Sequence, residues 1–576
     1  MLFAFANAQR NIPLLERKIS VQLSGVSLET ALNIIAMQGQ FTFSYNADII
    51  DKQKKVSVDV NAKPVREVLD NLFSGKLTYT PKGGHIILNK KAEEEEEAPS
   101  YLSVSGYVTD GKTGEKIPET SVYDKTSRMS VITNKYGYYS FKLNKKKISR
   151  DNLALFVNKA NYKDTIIYLK QRGNTTINIT IYPEEKPIAI ADSSAIKDSI
   201  DNINEAAWLK VILNDLEMAN TENISDTLHR KTQISLIPFV GSNLGLSGNT
   251  VNDYSFNVLI GYSRGTKKLE VGGLINVDRG NVGKVQLAGL GNLVGGSIKG
   301  VQASGLFNCN HRETNALQLA GLLNSNIGTT RGAQFAGLLN TNFKEVNAFQ
   351  AAGLANIALD NVYGTQVAGL LNVSLKKMRG VQISGLINYA TRVEGSQLGF
   401  LNISDTCSGV PIGFLSFVNR GYHKFEISGD EVFPINASIR TGVNRFYNIL
   451  NAGMQLENTD TITWSFGYGV GSAVKLNKKW SINFDVTVNQ LMVGNRIENF
   501  NPLGKFNVTL DRQLGKKVSI ALGPVLNAYW VKTTDPDYEK HFKDLAPYTF
   551  YNKTSSDTDS YNTTMWVGGK LALRFF

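Results

Sequence analysis

Histidine and cysteine side chains can bind metal ions or attack substrates, and this chain holds few of them. It has five histidines and two cysteines in 576 residues. The histidines stand far apart in the sequence, at His85, His229, His311, His423 and His541. No pair has the H-E-x-x-H spacing of a zinc-binding helix, and the sequence shows neither a phosphate-binding loop nor a nucleophile paired with a base. The sequence therefore predicts no catalytic residues, no metal site, no cofactor and no enzymatic activity.

The two thiols, Cys309 and Cys407, leave two interpretations open. They could pair in an oxidising compartment, or they could be unpaired small residues on strands.

The most regular chemical feature is a repeat of glycine, glutamine and asparagine in the middle of the chain. Residues 333–340 read A-Q-F-A-G-L-L-N, and the glycine of this phrase returns every sixteen residues. Its positions are Gly273, Gly289, Gly305, Gly321, Gly337, Gly353, Gly369 and Gly385, followed at a spacing of fourteen by Gly399 and Gly413. A fixed period of this kind determines the architecture of a protein.

Alternation within the repeat predicts a β-strand with one polar and one apolar face. Taken as a strand, Ala333 to Thr341 places Gln334, Ala336, Leu338 and Asn340 on one side. About eleven residues of strand and five of turn match the ~9–11 residues of a tilted transmembrane strand. The apolar, glycine-bearing face would then meet outer-membrane lipid. The candidate lumen-facing positions are Gln302, Gln318, Gln334, Gln350, Gln366, Gln382, Asn308, Asn324, Asn340, Asn356, Asn372 and Asn388.

A stack of β-solenoid rungs with a sixteen-residue period is the alternative for the repeats. Inward leucines and an asparagine ladder are typical of such stacks. Leu338 favours this alternative, because a leucine gains nothing from facing a wet lumen.

The rest of the C-terminal half favours a membrane barrel. Residues 480–489 alternate strictly between apolar and polar, and further strands are predicted at 463–475, 505–512, 517–530 and 564–576. Their connections alternate between short turns and long loops, which is typical of outer-membrane barrels. Possible opening strands at 234–242 and 255–263 run into the repeats without a break. The fold prediction is mainly β, with a large antiparallel transmembrane β-barrel over 231–576 that includes the repeats at 270–418.

Residues 17–90 predict a small α+β domain. Its two helical segments read V-S-L-E-T-A-L-N-I-I-A at 26–36 and A-K-P-V-R-E-V-L-D-N-L-F at 62–73, and strands surround both. This order resembles the short N-terminal domain of secretins and TonB-dependent receptors. The resemblance implies a periplasmic domain that binds a periplasmic or inner-membrane regulatory protein, in receptors often one of an anti-sigma kind.

Residues 101–183 predict a β-sandwich. The phrases T-D-G-K-T-G-E-K-I-P at 109–118 and T-N-K-Y-G-Y-Y-S-F at 133–141 are a turn-rich connection and an aromatic strand. Both resemble the carboxypeptidase regulatory-like domain that precedes exported receptors, which carries no peptidase chemistry. The phrase G-V-Q-I-S-G-L-I-N at 380–388 is likewise similar to a surface-repeat family of Gram-negative exported proteins.

The remaining segments predict export and linkers. Residues 1–8 look like the end of a secretory signal with Ala6-Asn7-Ala8 as its cleavage site, and the missing charged start indicates that Met1 lies inside a longer signal. Residues 91–100 hold an acidic run and predict a linker. Residues 184–230 predict a second linker with one short amphipathic helix through Ala206, Leu209, Val211, Ile212 and Leu216.

Charge excludes one class of partner. The net charge is +12 with 19% charged residues, but the basic residues are scattered through turns, so no nucleic-acid partner is predicted.

The sequence predicts an outer-membrane barrel with periplasmic protein-binding domains, acting as a channel, receptor or signal-coupling protein. A surface adhesin or structural repeat protein without transport activity is the alternative. A complete TonB-dependent transporter is disfavoured, because the stretch after residue 183 is too short for a plug domain.

Overall fold

The computed structural model describes residues 12–46, 49–90, 101–144, 153–169, 174–184, 213–455, 462–494, 500–534, 545–555 and 561–576. The chain divides into two compact units, residues 1–186 and 187–576. The predicted signal remnant at 1–8, the acidic linker at 91–100 and most of the predicted helix near Ala206 lie outside the described residues. Among the helices that are described, none has the length and apolar character needed to cross a membrane.

The first domain of the N-terminal unit has the predicted α+β order. Its elements are β1 (Lys18–Ser27), α1 (Leu28–Gly39), β2 (Thr42–Tyr45), β3 (Lys55–Pro64), α2 (Val65–Phe73), β4 (Leu77–Lys82) and β5 (His85–Lys90). Ser27 caps α1, because its hydroxyl accepts a hydrogen bond from the Thr30 amide. Strand β1 pairs antiparallel with β3, and β5 lies between β2 and β4. Leu32, Ile35 and Leu69 of the two helices are buried in the core.

Two small sheets form the second domain of that unit. Its strands are β6 (Tyr101–Asp110), β7 (Ser121–Tyr123), β8 (Ser130–Ile132), β9 (Tyr138–Asn144), β10 (Leu153–Asn158), β11 (Thr165–Leu169), β12 (Thr175–Thr176) and β13 (Ile179–Ile181). One sheet has the order β11-β10-β7-β8, and in the other β6 pairs with β9, β12 and β13. Val104, Phe141 and Leu155 are fully buried in a shared core. The domain is a β-sandwich.

The first described elements of the C-terminal unit are a helix and a stack of mostly parallel strands. The helix is α3 (Asp215–Asn223), and the first strands are β14 (Leu228–Ile237), β15 (Val240–Gly241), β16 (Thr250–Asn257), β17 (Ile260–Ser263), β18 (Gly265–Gly272), β19 (Ile275–Asp278), β20 (Val282–Ala288), β21 (Gly291–Val294), β22 (Ile298–Ser304), β23 (Phe307–Asn310), β24 (Thr314–Ala320) and β25 (Leu323–Asn326). The stack continues through β26 (Thr330–Ala336), β27 (Leu339–Asn342), β28 (Val346–Ala352), β29 (Ala355–Ala358), β30 (Val362–Ala368), β31 (Leu371–Ser384), β32 (Ile387–Val393), β33 (Ser396–Leu398), β34 (Leu401–Cys407), β35 (Pro411–Ile412) and β36 (Leu415–Val418).

Each repeat is one rung of a β-solenoid and not part of a barrel. Pairing is parallel with a register of sixteen residues, so that Gln318 faces Gln334 and Asn324 faces Asn340. From β20 to β30, strands of seven and four residues alternate, and the two strands of one repeat meet at its Gly-Leu step. The prediction of a single antiparallel barrel over 231–576 is therefore wrong for the repeats and for the supposed opening strands, and the solenoid alternative is the observed structure there.

Residues 422–575 form the barrel. Its strands are β37 (Tyr422–Asp430), β38 (Ile435–Val443), β39 (Phe446–Met454), β40 (Thr463–Lys475), β41 (Trp480–Val493), β42 (Pro502–Gln513), β43 (Val518–Lys532), β44 (Tyr551–Thr554) and β45 (Tyr561–Phe575). All neighbours are antiparallel, and β37 pairs with β45, which closes the cylinder. Strand β44 pairs only with β45, so the closed wall has eight strands.

The two ends of the barrel differ, as the sequence predicts. Strands β38 and β39, β40 and β41, and β42 and β43 are joined by short turns at one end, which we call the short-turn end. Longer connections follow β39, β41 and β43 at the opposite, long-loop end. The chain enters β37 and leaves β45 at the short-turn end.

Candidate functional site

The predicted lumen-facing residues lie inside the solenoid, where they contact one another instead of water. All of them are fully buried: Gln302, Gln318, Gln334, Gln350, Gln366, Gln382, Asn308, Asn324, Asn340, Asn356, Asn372 and Asn388. They form two ladders that run along the stack, one of glutamine and one of asparagine.

The asparagine ladder satisfies every rung in the same way. Asn324 Nδ2 donates to Asn340 Oδ1 at 2.9 Å and to the Phe335 carbonyl at 2.9 Å. Asn340 Nδ2 repeats this pattern with Asn356 Oδ1 at 2.8 Å and the Ala351 carbonyl at 2.9 Å. Because a buried amide without partners costs about 1–3 kcal/mol, this pairing makes a polar interior compatible with stability.

The glutamine ladder runs in the opposite direction and ends on carboxylates. Gln334 Nε2 donates to Gln318 Oε1 at 2.8 Å, and each glutamine likewise donates to the preceding rung. At the first rung Gln286 Nε2 donates to Glu270 Oε2 at 2.9 Å and to Asp278 Oδ2 at 2.7 Å. The end of such a ladder needs only an acceptor, which explains why acidic residues replace amides there.

Helix α3 and the turn Leu244–Asn249 cover the first rungs. Asn220 Nδ2 donates to the Gly245 carbonyl at 2.7 Å, and Asn249 Nδ2 donates to the Ile224 carbonyl at 3.0 Å. Glu217 of this helix is buried, and within the described residues neither of its carboxylate oxygens has a hydrogen-bonding partner. Burial raises the pKa of Glu217 to about 8, so the cap carries this side chain largely in its neutral form at pH 7.

A network of buried ion pairs fills the middle of the barrel. The Glu426 carboxylate contacts Arg574 Nε at 2.6 Å, Arg440 Nη2 at 2.8 Å and Lys570 Nζ at 2.7 Å. Asp485 pairs with Arg440 at 2.8 Å. These groups come from strands β37, β38, β41 and β45, so the network ties opposite walls of the cylinder together.

Asp511 extends the network toward the short-turn end. Its Oδ2 contacts Arg574 Nη1 at 2.8 Å and Lys424 Nζ at 2.9 Å. Beyond Lys424 a cavity of about 700 Å³ opens at this end, lined by Lys475, Lys479, Trp480 and other residues of the short turns.

An apolar cluster fills the barrel at the long-loop end. Its members share full or nearly full burial and include Val432, Phe433, Leu491, Val493, Leu503, Tyr529, Val531 and Trp566. The turn that carries Phe433 is held by Glu431, whose Oε1 accepts from Trp566 Nε1 at 3.0 Å. Between this cluster and the ion pairs, a cavity of only about 20 Å³ lies among Glu426, Arg440 and Lys505. A cavity of that size holds about one water molecule.

The outer wall of the barrel is apolar, as its alternation predicts. Val486, Val488 and Leu571 are about half exposed, whereas the intervening Asp485 and Arg574 are buried. An apolar outer band around a polar interior is typical of a wall that faces lipid.

Arg66 and Glu16 join the two domains of the N-terminal unit. Arg66 Nε contacts Glu16 Oε1 at 3.2 Å, and its guanidinium lies 4.6 Å from the ring centroid of Tyr138 in the sandwich. Tyr107 Oη donates to Glu16 Oε2 at 3.4 Å, and burial together with the Glu16 charge raises the pKa of Tyr107. Charge-assisted and cation–π contacts of this kind fix an orientation between two domains.

Comparison with known families supports one part of this architecture. The family described as "Secretin and TonB N terminus short domain" matches residues 41–91. This supports the predicted resemblance over residues 41–91, whereas the first helical phrase at 26–36 lies outside the match. Comparisons with curated proteins and with solved structures give no match. The resemblances of 101–183 and of the repeats to known families remain predictions.

Two features of the site escaped prediction from the sequence. The sequence analysis does not predict the ion-pair network of the barrel. A signal for it exists in the sequence, since Asp485, Lys570 and Arg574 occupy the polar side of strands whose other side is apolar. The carboxylate end of the glutamine ladder is also not predicted, although Glu270 stands where later repeats have glutamine.

Cys309 and Cys407 are both unpaired, which decides between the two interpretations of the thiols.

Proposed function

We propose that this chain is a signal-coupling protein of the outer membrane, whose eight-stranded barrel is a sealed anchor and receptor rather than a channel. The observation that carries the proposal is the filled interior of the barrel. Ion pairs centred on Glu426 occupy its middle, and the cluster around Phe433 occupies its long-loop end. Eight strands enclose a space just wide enough for side chains to fill, so a solute path would require the walls to separate.

The N-terminal domain supports a signalling role. A secretin and TonB short domain implies contact with a periplasmic or inner-membrane regulatory protein, and the match at residues 41–91 supports that assignment. Met37 on α1 is 78% exposed. We take the exposed face of α1 around Met37 as the contact surface for the regulator.

The connections of the barrel support the direction of insertion. Short turns and both chain ends of an outer-membrane barrel lie on the periplasmic side. In this chain the entry into β37 and the end of β45 share the short-turn end. This orientation puts the N-terminal domains in the periplasm and the long loops at the cell surface, where a signal would be received.

A structural repeat protein without transport activity is the second candidate. The solenoid favours it, because the amides of its ladders hydrogen-bond to one another from rung to rung. This candidate shares the sealed barrel with the first and differs in having no regulatory partner.

Electrical recording tests whether the barrel is sealed. The full-length protein in planar bilayers is expected to give no discrete openings, because its interior is packed from Lys424 to Trp566. A variant in which Phe433 and Trp566 are both replaced by alanine serves as the comparison, since any conductance should increase when this cluster is removed. Frequent openings of the unaltered protein would contradict the proposal that the barrel is sealed.

Photo-crosslinking in cells tests the regulatory partner. A photoreactive residue in place of Met37 is expected to capture an inner-membrane or periplasmic protein. The matched control is the same residue in place of Tyr168, another exposed apolar position in the N-terminal unit, at 65% exposure. Equal capture at both positions, or capture at neither, would favour the structural repeat protein.

A further inference from the structure

The outside of the solenoid is apolar along one continuous ridge. Each rung places a large apolar side chain directly after its corner glycine, and every one of these side chains is between 37% and 55% exposed. The ridge consists of Leu274, Leu290, Leu306, Leu322, Leu338, Leu354, Leu370, Leu386, Phe400 and Phe414. With rungs about 4.8 Å apart, the ridge is roughly 40 Å long.

The strand face beside the ridge is apolar as well. Leu319, Phe335 and Phe349 are exposed there, and the rings of Phe335 and Phe349 lie 5.6 Å apart. Leu319 and Phe335 also line a groove of about 690 Å³, whose floor is made by the alanines and glycines of successive rungs, such as Ala352 and Gly353. Water-soluble proteins rarely expose an apolar surface this continuous.

The opposite edge of the rungs carries charged side chains, although Ile327, Phe343, Leu359 and Leu375 are also exposed there. Arg331 pairs with Glu313 at 3.0 Å, Lys376 with Asp360 at 3.0 Å and Lys377 with Glu394 at 3.3 Å. The ion pairs therefore lie on one edge of the solenoid, and the glycine corner opposite to them carries the apolar ridge. Its interior holds the glutamine and asparagine ladders together with buried apolar residues such as Val346, Val362 and Met378.

The last rungs join the outer wall of the barrel near its short-turn end. Asn448, an outward-facing residue of β39, accepts from the Ser416 amide at 2.7 Å and donates to the Gly413 carbonyl. Phe400 stacks on Phe414 at 4.9 Å, and Phe414 stacks at 4.7 Å on Tyr468 of the outward face of β40. The leucine ridge thus continues directly into the apolar band of the barrel.

We propose that the ridge and the face beside it are covered by lipid acyl chains, in the leaflet on the short-turn side of the membrane. The solenoid lies with its long axis along the membrane and its charged edge toward water. This inference rests on the proposed insertion of the barrel, and it adds a second membrane-embedded element to the protein.

Hydrogen bonding of the backbone makes this placement physically possible. Hydrocarbon accepts only structures that satisfy their own main-chain groups. Rungs do so even at the corner, where the Leu338 amide donates to the Leu322 carbonyl at 3.0 Å. One end of the stack is joined to the barrel and the other is covered by α3, so its end rungs are not left open to lipid.

Fluorescence quenching in reconstituted membranes tests the proposal. The full-length protein, with Cys309→Ser and Cys407→Ser, receives one cysteine at a time for an environment-sensitive dye. The three positions are Leu354 on the ridge, Lys344 on the charged edge and Val486 on the barrel wall. Brominated acyl chains are expected to quench the dye at Leu354 as strongly as at Val486, whereas aqueous iodide is expected to quench only the dye at Lys344.

The outcomes separate this inference from the function on which it rests. Quenching of Leu354 by iodide while Val486 responds to brominated lipid would overturn the lipid-facing ridge and leave the barrel anchor intact. Protection of Leu354 from both quenchers would also overturn it, because a second copy or another protein would then cover the ridge. If Val486 does not respond to brominated lipid, the outer-membrane proposal fails together with the inference.

Discussion

Replacement of Gly337 by alanine is expected to open the solenoid around its rung while the barrel stays folded. A Cβ atom at this position would lie 1.9 Å from the Gly321 carbonyl oxygen of the preceding rung. That oxygen is part of the backbone, so it cannot move aside without separating two rungs. Overpacking of this kind costs about 1–3 kcal/mol and occasionally more, and we expect the upper end of that range.

Hydrogen exchange measures this effect locally. Amides of β24 to β28 should lose protection, because the Asn324–Asn340 hydrogen bond and the pairing of Gln334 depend on the same spacing. Strands β38 and β39 should be unchanged. Gly515→Ala is the matched control, since a Cβ there meets nothing within 4 Å. Unaltered protection in β24 to β28 would show that the corner tolerates a methyl group and that the glycine is kept for another reason.

The corner glycine also explains why the sequence pattern predicts a barrel strand where the structure has a solenoid rung. The alternation of polar and apolar residues is the same for a barrel strand and for a rung with a polar interior, so it could not separate them. Unbroken alternation from Ala333 to Thr341 puts Leu338 on the side of Gln334 and Asn340. In the structure one strand ends at Ala336 and the next begins at Leu339, and the corner between them turns Leu338 outward. The discriminating information is which strands pair, and no single repeat contains it.

Elements held by local signals were predicted well. The two helices follow from the helical phrases within residues 17–90 alone. The barrel strands from 463 onward also agree with the prediction, because alternation and turn residues lie within each segment. The side of the wall that each side chain faces also agrees with the prediction: Val486 and Val488 lie outside, and Asp485 and Thr487 lie inside.

The barrel network could not be predicted to the same degree, because its partners are far apart in sequence. Glu426 and Arg574 belong to the first and last strands of the wall and meet only when the cylinder closes. Their contact depends on the register between β37 and β45, which alternation alone does not fix. A charged residue on the inner side of an apolar-faced strand indicates a partner across the interior but does not name it.

Removal of Glu426 should destabilise the barrel more than any change on the protein surface. Its carboxylate is fully buried and contacts Arg440, Arg574 and Lys570 within 2.8 Å. Glu426→Gln leaves these three cations with one carboxylate fewer in an interior that holds little water. Loss of one partner from a buried ion pair costs about 3–5 kcal/mol. We expect a lower urea midpoint in detergent micelles and loss of the folded band when unheated samples are run on gels.

A double substitution separates charge imbalance from lost packing. Glu426→Gln combined with Lys570→Gln removes one charge of each sign, so the double variant should be more stable than Glu426→Gln alone. Glu313→Gln is the matched control for losing a paired carboxylate, because its contact with Arg331 is about half exposed and such pairs contribute ~0–1 kcal/mol. If the double variant is no more stable than the single one, the network does not act through charge balance. If Glu426→Gln also lowers the urea midpoint no more than Glu313→Gln does, the ion pairs do not hold the cylinder closed.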